Sequence, residues 1–178
     1  MINHAATMPL AIADKETFLR LLEQHGGIIR KVAAGYSSGL ADRHDLEQEI
    51  TLHLWKAYPR YSPDRPFSTW MYRIALNVAI SFLRRHTRAG RQTISLDESE
   101  IEIADENAQP AETDERIPLL QNVIASLPPL ERALVLLYLD EHSYREIAAI
   151  LGITETNVAT KLNRLKLRVR EDMLKLTR

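Results

Sequence analysis

The chain is 178 residues long, 45% hydrophobic and 26% charged, with a formal net charge of −1 and no cysteine. A chain of this size makes one domain or two small ones of ordinary globular composition, and the missing thiols exclude disulfides, thiolate metal sites and thiol redox chemistry. No apolar run approaches the roughly 20 residues that span a bilayer, and the opening MINHAATMPLAIADKE has neither a basic n-region nor a long apolar core; a cytoplasmic protein with no membrane segment of its own is expected.

Apolar residues recur at helical spacing almost throughout, glycine and proline are scarce, and no β-alternation persists, so an all-α fold is predicted. The first helix is expected from Asp14 to about Tyr36, with Phe18, Leu21, Leu22, Ile28, Ile29 and Val32 facing inward and Gly26-Gly27 as a weak point or break. A second is expected to start near Asp42 or Asp45 and to carry Leu46, Ile50, Leu54 and Ala57. The prolines of PRYSPDRP bar its continuation. A third runs from about Ser68 to Arg85, with Phe67, Trp70, Ile74, Val78 and Phe82 three or four apart, and leaves through RRHTRAGR.

Residues 93–115 then hold 9 Asp/Glu and no Lys/Arg, while the flanking blocks carry 13 basic against 8 acidic and 10 against 7. Two mildly basic blocks joined by a solvated acidic strap give the expected organisation: 14–92, a linker at 93–115, and 116–178. As a flexible coil the strap has an end-to-end distance of about 26 Å, and fully extended it reaches roughly 80 Å.

Past the strap, Ile117–Ala125 and Leu130–Leu139 read as short helices around SLPP, with Pro129 suited to a first turn. Ser143 and Glu146 make a capping box, Ile147, Ala148 and Leu151 an inner face, and Gly152 a left-handed helix stop. Thr154 caps the next helix, whose buried stripe is Val158, Leu162, Leu165 and Val169. Its outer face is polar and basic: Glu155, Thr156, Asn157, Thr160, Lys161, Asn163, Arg164, Lys166 and Arg168. That is the layout of a DNA-binding helix-turn-helix, in which short polar side chains reach base edges and cations meet phosphates. The bland alternative is an αα-hairpin with a solvated basic face.

Two features of the first block bear on function. In DLEQEITLHLW, the early acids suit the positive end of a helix without any further role. In YSPDRPFSTWMYRIALNVAISFLRR, Tyr58, Tyr61, Phe67, Trp70 and Tyr72 gather near Arg60, Arg65, Arg73, Arg84 and Arg85. Aromatic faces beside cations suit single-stranded nucleic acid, although core packing is the favoured role for Trp70.

DLEQE…LW, FSTWMYRIALN and LPPLERALVLLYLDEHSYREIAAILGITETNVATKLNRLKLRVR resemble regions 2 and 4 of the extracytoplasmic-function sigma factors, sigma-70 family, over about residues 14–92 and 116–174. The resemblance implies a sigma region 2 bundle and a region 4 helix-turn-helix, with bacterial core RNA polymerase and promoter DNA as partners and room for an anti-sigma factor. It assigns polymerase binding to Asp45, Gln48 and Glu49, and minus-ten melting and DNA contact to Tyr61, Trp70, Tyr72, Arg73, Asn77, Arg84 and Arg85. Minus-thirty-five recognition falls to Glu155, Thr156, Asn157, Thr160, Lys161, Arg164, Lys166 and Arg168. Glu47 stands where the family usually has an apolar residue and Thr51 where it often has an aromatic.

Neither a cofactor nor a metal is expected, since His4, His25, His44, His53, His86 and His142 show no ligand spacing and no P-loop or G-x-S-x-G motif occurs. A non-enzymatic factor is therefore expected. Its competitors are a helix-turn-helix regulator that needs no polymerase and an adaptor whose basic helix meets an acidic protein.

Overall fold

The computed structural model describes residues 12–92 and 116–176. Among them every regular element is helical: α1 (Ile12–Tyr36), α2 (Leu40–Ala57), α3 (Phe67–Gln92), α4 (Arg116–Ser126), α5 (Pro129–Leu139), α6 (Tyr144–Leu151) and α7 (Glu155–Leu176), with one 3-10 turn at Tyr58–Arg60. The acidic segment 93–115 lies outside the described residues.

The first three helices pack mutually as a bundle. Each supplies an apolar row at helical spacing: Phe18, Ile28, Val32 and Ala33 on α1, Leu46, Ile50 and Leu54 on α2, and Met71, Ala75, Ala79 and Phe82 on α3, all buried. Full burial of one such large side chain is worth about 1.5–3 kcal/mol. That explains why α1 runs unbroken through Gly26-Gly27, where a break was expected. Two helical glycines cost about 1 kcal/mol each, and the apolar residues anchored on both sides outweigh them.

Helix α2 begins earlier than expected, at Leu40, with Gly39 as N-cap and Arg43 N–H bonded to the Gly39 carbonyl at 3.0 Å. Asp42 therefore lies inside the first turn, where it accepts from the Ser38 hydroxyl at 2.9 Å. On α3 the buried arc is centred on Met71 and Ala75, whereas Trp70 and Ile74 are only half-buried.

In the second unit α7 packs on α4, α5 and α6. Pro129 occupies the first turn of α5 as expected. The inner face of α6 is Ile147, Ala148 and Ile150, all buried, with Leu151 only partly covered, so the expected Leu151 gives way to its neighbour. The units are joined where α5 meets α1 and α3 and where α6 meets α3. One apolar cluster runs through both, from Phe18 to Leu165. At Gly35 the units are packed so tightly that an added Cβ would stand 2.6 Å from Leu136 Cδ1.

Gly152 and Gly27 should respond oppositely to alanine. Gly152 has φ +69°, so Gly152→Ala should lower stability by about 1–2 kcal/mol. Gly27 is helical and open, with nothing within 4 Å of an added Cβ, so Gly27→Ala should raise it by about 0.8–1.0 kcal/mol. Chemical denaturation of the two variants checks both signs.

Candidate functional site

The helix-turn-helix is built by local hydrogen bonds. Ser143 Oγ accepts from Glu146 N–H at 3.3 Å, and Glu146 Oε2 accepts from Ser143 N–H at 2.8 Å, which closes the capping box and fixes the start of α6. The Ser143 hydroxyl, which donates to Oε2 at 2.6 Å, and then the Ser143 N–H hold the Glu146 carboxyl below its ordinary value. Gly152 ends α6 in the left-handed region, with its N–H on the Ala148 carbonyl at 2.9 Å. Thr154 Oγ1 then accepts from Asn157 N–H at 3.2 Å and starts α7.

Val158, Leu162 and Leu165 bury one side of α7 and so aim the other outward. Glu155, Thr156, Asn157, Thr160 and Arg164 are exposed and Lys161 is half-exposed. The Thr160 hydroxyl donates back to the Thr156 carbonyl at 2.9 Å. The cations further along turn toward their own unit: Lys166 Nζ lies 4.1 Å from the centre of the Tyr138 ring, and Arg168 pairs with Glu131 at 3.3 Å and Asp172 at 3.9 Å. The unengaged outward surface of α7 is thus concentrated in its first three turns.

On α3, Arg73, Asn77 and Arg84 are all exposed, at steps of four and seven that keep them on one face. Arg85 is drawn aside by Glu49 of α2, whose two carboxylate oxygens it meets at 2.7 and 2.8 Å. Tyr61, Phe67 and Trp70 form a nest with ring centres 5.1–5.3 Å apart. Tyr58 joins it at 6.2 Å from Tyr61 and 4.9 Å from Phe18. Exposed Arg60 and Arg65 flank this nest.

Tyr72 does not belong to the nest. It is buried at 4% exposure and donates its hydroxyl to Asp140, at the end of α5. Burial first, then the Asp140 bond and charge, push its hydroxyl well above the usual tyrosine range.

Asp45 and Gln48 are exposed on α2, but only Gln48 lines the open crevice of about 620 Å³ between α1 and α2. Glu47, Thr51, Leu52 and Trp55 line it too, so the two departures from the family pattern sit in the groove itself. Gln48 and Glu49 therefore serve different sides of α2. Sequence reasoning missed Leu52, 49% exposed in this groove; its signal was an apolar residue off the 46/50/54 stripe.

Also missed was the polar hub between the units. Asp140 accepts from Lys31 and from Tyr72, with His142 Nε2 at 3.5 Å. Burial alone would raise the Asp140 carboxyl, but the bonds from Lys31 and Tyr72 and the charges of Lys31 and His142 outweigh it and hold it below the ordinary range. No local motif announces a contact between residues 68 positions apart. No group of three or more His, Asp or Glu that could hold a metal occurs among the described residues, and none of their helices is long and apolar enough to cross a membrane.

Comparison with known proteins agrees with this layout. Sigma-70 region 2 matches residues 21–89 and Sigma-70 region 4 matches residues 118–169, together more than half of the chain. The ECF RNA polymerase sigma factor SigE of Mycolicibacterium smegmatis is 29% identical over 157 residues, 87% of this chain. The probable RNA polymerase sigma factor RfaY of Xanthomonas campestris is 25% identical over 181 residues, 98% of this chain. The chain spans 61% and 44% of the length of these two relatives. The solved structure of the sigma factor RpoE in complex with the anti-sigma factor NepR from Bartonella quintana has the same fold. Its TM-score is 0.68 at 22% identity, over 92% of this chain and 98% of that one. The chain belongs to the sigma-70 family, in its extracytoplasmic-function group.

The depressed Asp140 carboxyl fixes the sign of one pH effect. A group with a lowered folded value stabilises fully above the ordinary carboxylate range and loses that contribution as pH falls through the folded value. Wild type should therefore melt higher than Asp140→Asn at about pH 7, and the gap should close toward about pH 3. Thermal melts across that range read it directly.

Proposed function

We propose that the chain is an alternative-sigma initiation factor that binds bacterial core RNA polymerase and directs it to particular promoters, with no catalytic group of its own. The observation that carries this reading is the division of surfaces. An outward recognition face on α7 lies on one unit, while the other unit presents a cationic α3 stripe and, separately, an apolar groove. A duplex-binding regulator has no use for that third surface. The proposed domain division keeps the sequence boundaries, 14–92 for polymerase binding and melting and 116–178 for the upstream element, with the site of action in the cytoplasm.

In this reading the groove beside Gln48 receives polymerase, with Leu52 as the apolar anchor. Asp45 is exposed on α2 next to His44, which lines the groove. Arg73, Asn77 and Arg84 track the opened strand beside the Tyr61 and Trp70 nest, and Glu155, Thr156, Asn157, Thr160 and Lys161 face base edges. Arg164 meets phosphate, while Lys166 and Arg168 hold α7 to Tyr138 and Glu131. An anti-sigma factor covering the groove or α7 would silence the protein.

Run-off transcription with purified core polymerase tests the whole reading, and failure on every promoter of the host would favour the regulator or the adaptor. Because Leu52 is exposed, Leu52→Arg should fold normally yet weaken polymerase binding about 30-fold, the equivalent of ~2 kcal/mol at an interface anchor; equilibrium binding to core polymerase measures it.

The α7 face predicts a second split. Lys161→Ala should change which upstream element is preferred, by about 1–3 kcal/mol for a lost base contact, whereas Arg164→Ala should weaken all promoters alike and flatten the salt dependence. Promoter competition at several salt concentrations separates the two.

A further inference from the structure

We propose that Glu49 masks Arg85 against non-specific nucleic acid, so that a phosphate must displace a carboxylate of the same chain before it can meet that guanidinium. The inference rests on the reading of the α3 stripe as the track of the opened strand.

The sequence presents Arg84 and Arg85 as equivalent, two consecutive cations on the last turns of α3. Folding separates them, because successive helical residues point about 100° apart. Arg84 is exposed in line with Arg73 and Asn77 and pairs with no acid among the described residues. Arg85 turns toward α2, where Glu49 sets both carboxylate oxygens on the single nitrogen Nη2, at 2.7 and 2.8 Å. The ring of Phe82, one turn back on α3, lies 5.9 Å from the guanidinium carbon. Arg85 is thus held at α2 by Glu49 and at its own helix by Phe82, yet its side chain stays 56% exposed, within reach of a passing strand.

Holding α2 to α3 is not a sufficient reason for this pair. Ion pairs at such exposure add little to stability, and the two helices already share the buried rows of Leu46, Ile50 and Leu54 and of Met71, Ala75 and Ala79. What the carboxylate changes is the charge that a strand meets. A phosphate reaching Nη1 or Nε of Arg85 also meets the charge of Glu49 close by, so attraction and repulsion oppose each other. A strand held in place by the rest of the stripe can displace the carboxylate, because an exposed pair is weak. A strand without those other contacts draws no binding from Arg85. Specificity is a difference of affinities, and a competitor built into the chain lowers the wrong one.

Affinity of the full-length chain for a single-stranded oligothymidylate, measured at several salt concentrations, decides it. Each phosphate contact on a single strand adds about 0.7 to the slope of log affinity against log salt. Glu49→Gln should therefore steepen the slope by about 0.7, a gain over wild type of about fivefold for each tenfold fall in salt. Adding Arg85→Ala to Glu49→Gln should remove that gain, whereas Arg84→Ala should flatten the slope equally in both backgrounds. Neither Glu49 nor Arg85 belongs to the buried core, so the helicity of each variant should match wild type.

Equal slopes for wild type and Glu49→Gln would overturn the mask. So would a gain that survives Arg85→Ala, the mark of a general charge effect, or failure of Glu49→Gln to bind the oligonucleotide at any salt. Run-off transcription reports separately on the sigma reading. A wild type that initiates, with an unaltered Glu49→Gln slope, overturns the mask alone; an Arg85-dependent steepening in a protein that initiates nowhere overturns the sigma reading alone.

Discussion

A buried guanidinium sets how the two helical units meet. Arg132 is only 7% exposed, lies 5.3 Å from the centre of the Tyr36 ring, and donates to the carbonyls of Gly35 and Ala125. Removing a cation from water costs several kcal/mol unless its donors are satisfied, and here the satisfying oxygens come from two places. One belongs to the end of α1, where the helix dipole leaves partial negative charge; the other belongs to α4, just before the α4–α5 link. The two terminal nitrogens of the arginine thus find both carbonyls only when the units are together, while Nε stays buried without a partner. Burial pushes the Arg132 value down and that of Tyr36 well above its usual range, as expected of groups placed at a seam rather than on a surface.

What could be read from the sequence divides along the same line. The capping box, the Gly152 stop and the Thr154 cap were legible because each needs residues within four positions of one another. The buried stripe of α7 was legible because helical period alone places Val158, Leu162 and Leu165 together. Gly26-Gly27 misled because intrinsic propensity is a weak term beside the burial of Ile28, Ile29 and Val32. The start of α2 was misplaced because an acid in the first turn looks the same as an acid at the cap. Gly35 and Arg132 gave no local signal at all; their meaning lies in partners roughly 100 positions away, at Leu136 and Gly35 respectively.

The candidate site shows how packing narrows a surface that sequence alone makes too broad. Helical period assigned nine outward residues to α7, but Arg168 is held by Glu131 and Asp172 and Lys166 lies against Tyr138. Those two cations brace the far half of the helix against α5. The near half, from Glu155 to Arg164, keeps the short polar side chains that base-edge contact requires. A similar division appears on α2, where consecutive Gln48 and Glu49 look to opposite neighbours because successive helical residues are about 100° apart. Glu49 meets Arg85 on α3, whereas Gln48 lines the groove toward α1.

Helix α3 carries three surfaces at once, and that shapes how any loss of function there must be interpreted. Met71, Ala75 and Ala79 close the bundle, Arg73, Asn77 and Arg84 face outward, and Tyr72 points to the second unit, where it bonds Asp140. A change at Met71 acts through folding, because a cavity in a closed core destabilises the whole bundle. A change at Asn77 or Arg84 leaves that core intact and acts on whatever the exposed stripe meets. Tyr72 is different from both: removing its side chain takes a buried ring out of the seam and a donor away from the Asp140 hub at the same time. Its net effect is therefore no measure of stacking. Only a comparison with loss of the Asp140 carboxylate, which removes the acceptor and leaves the ring in place, separates what the ring contributes from what its hydrogen bond contributes.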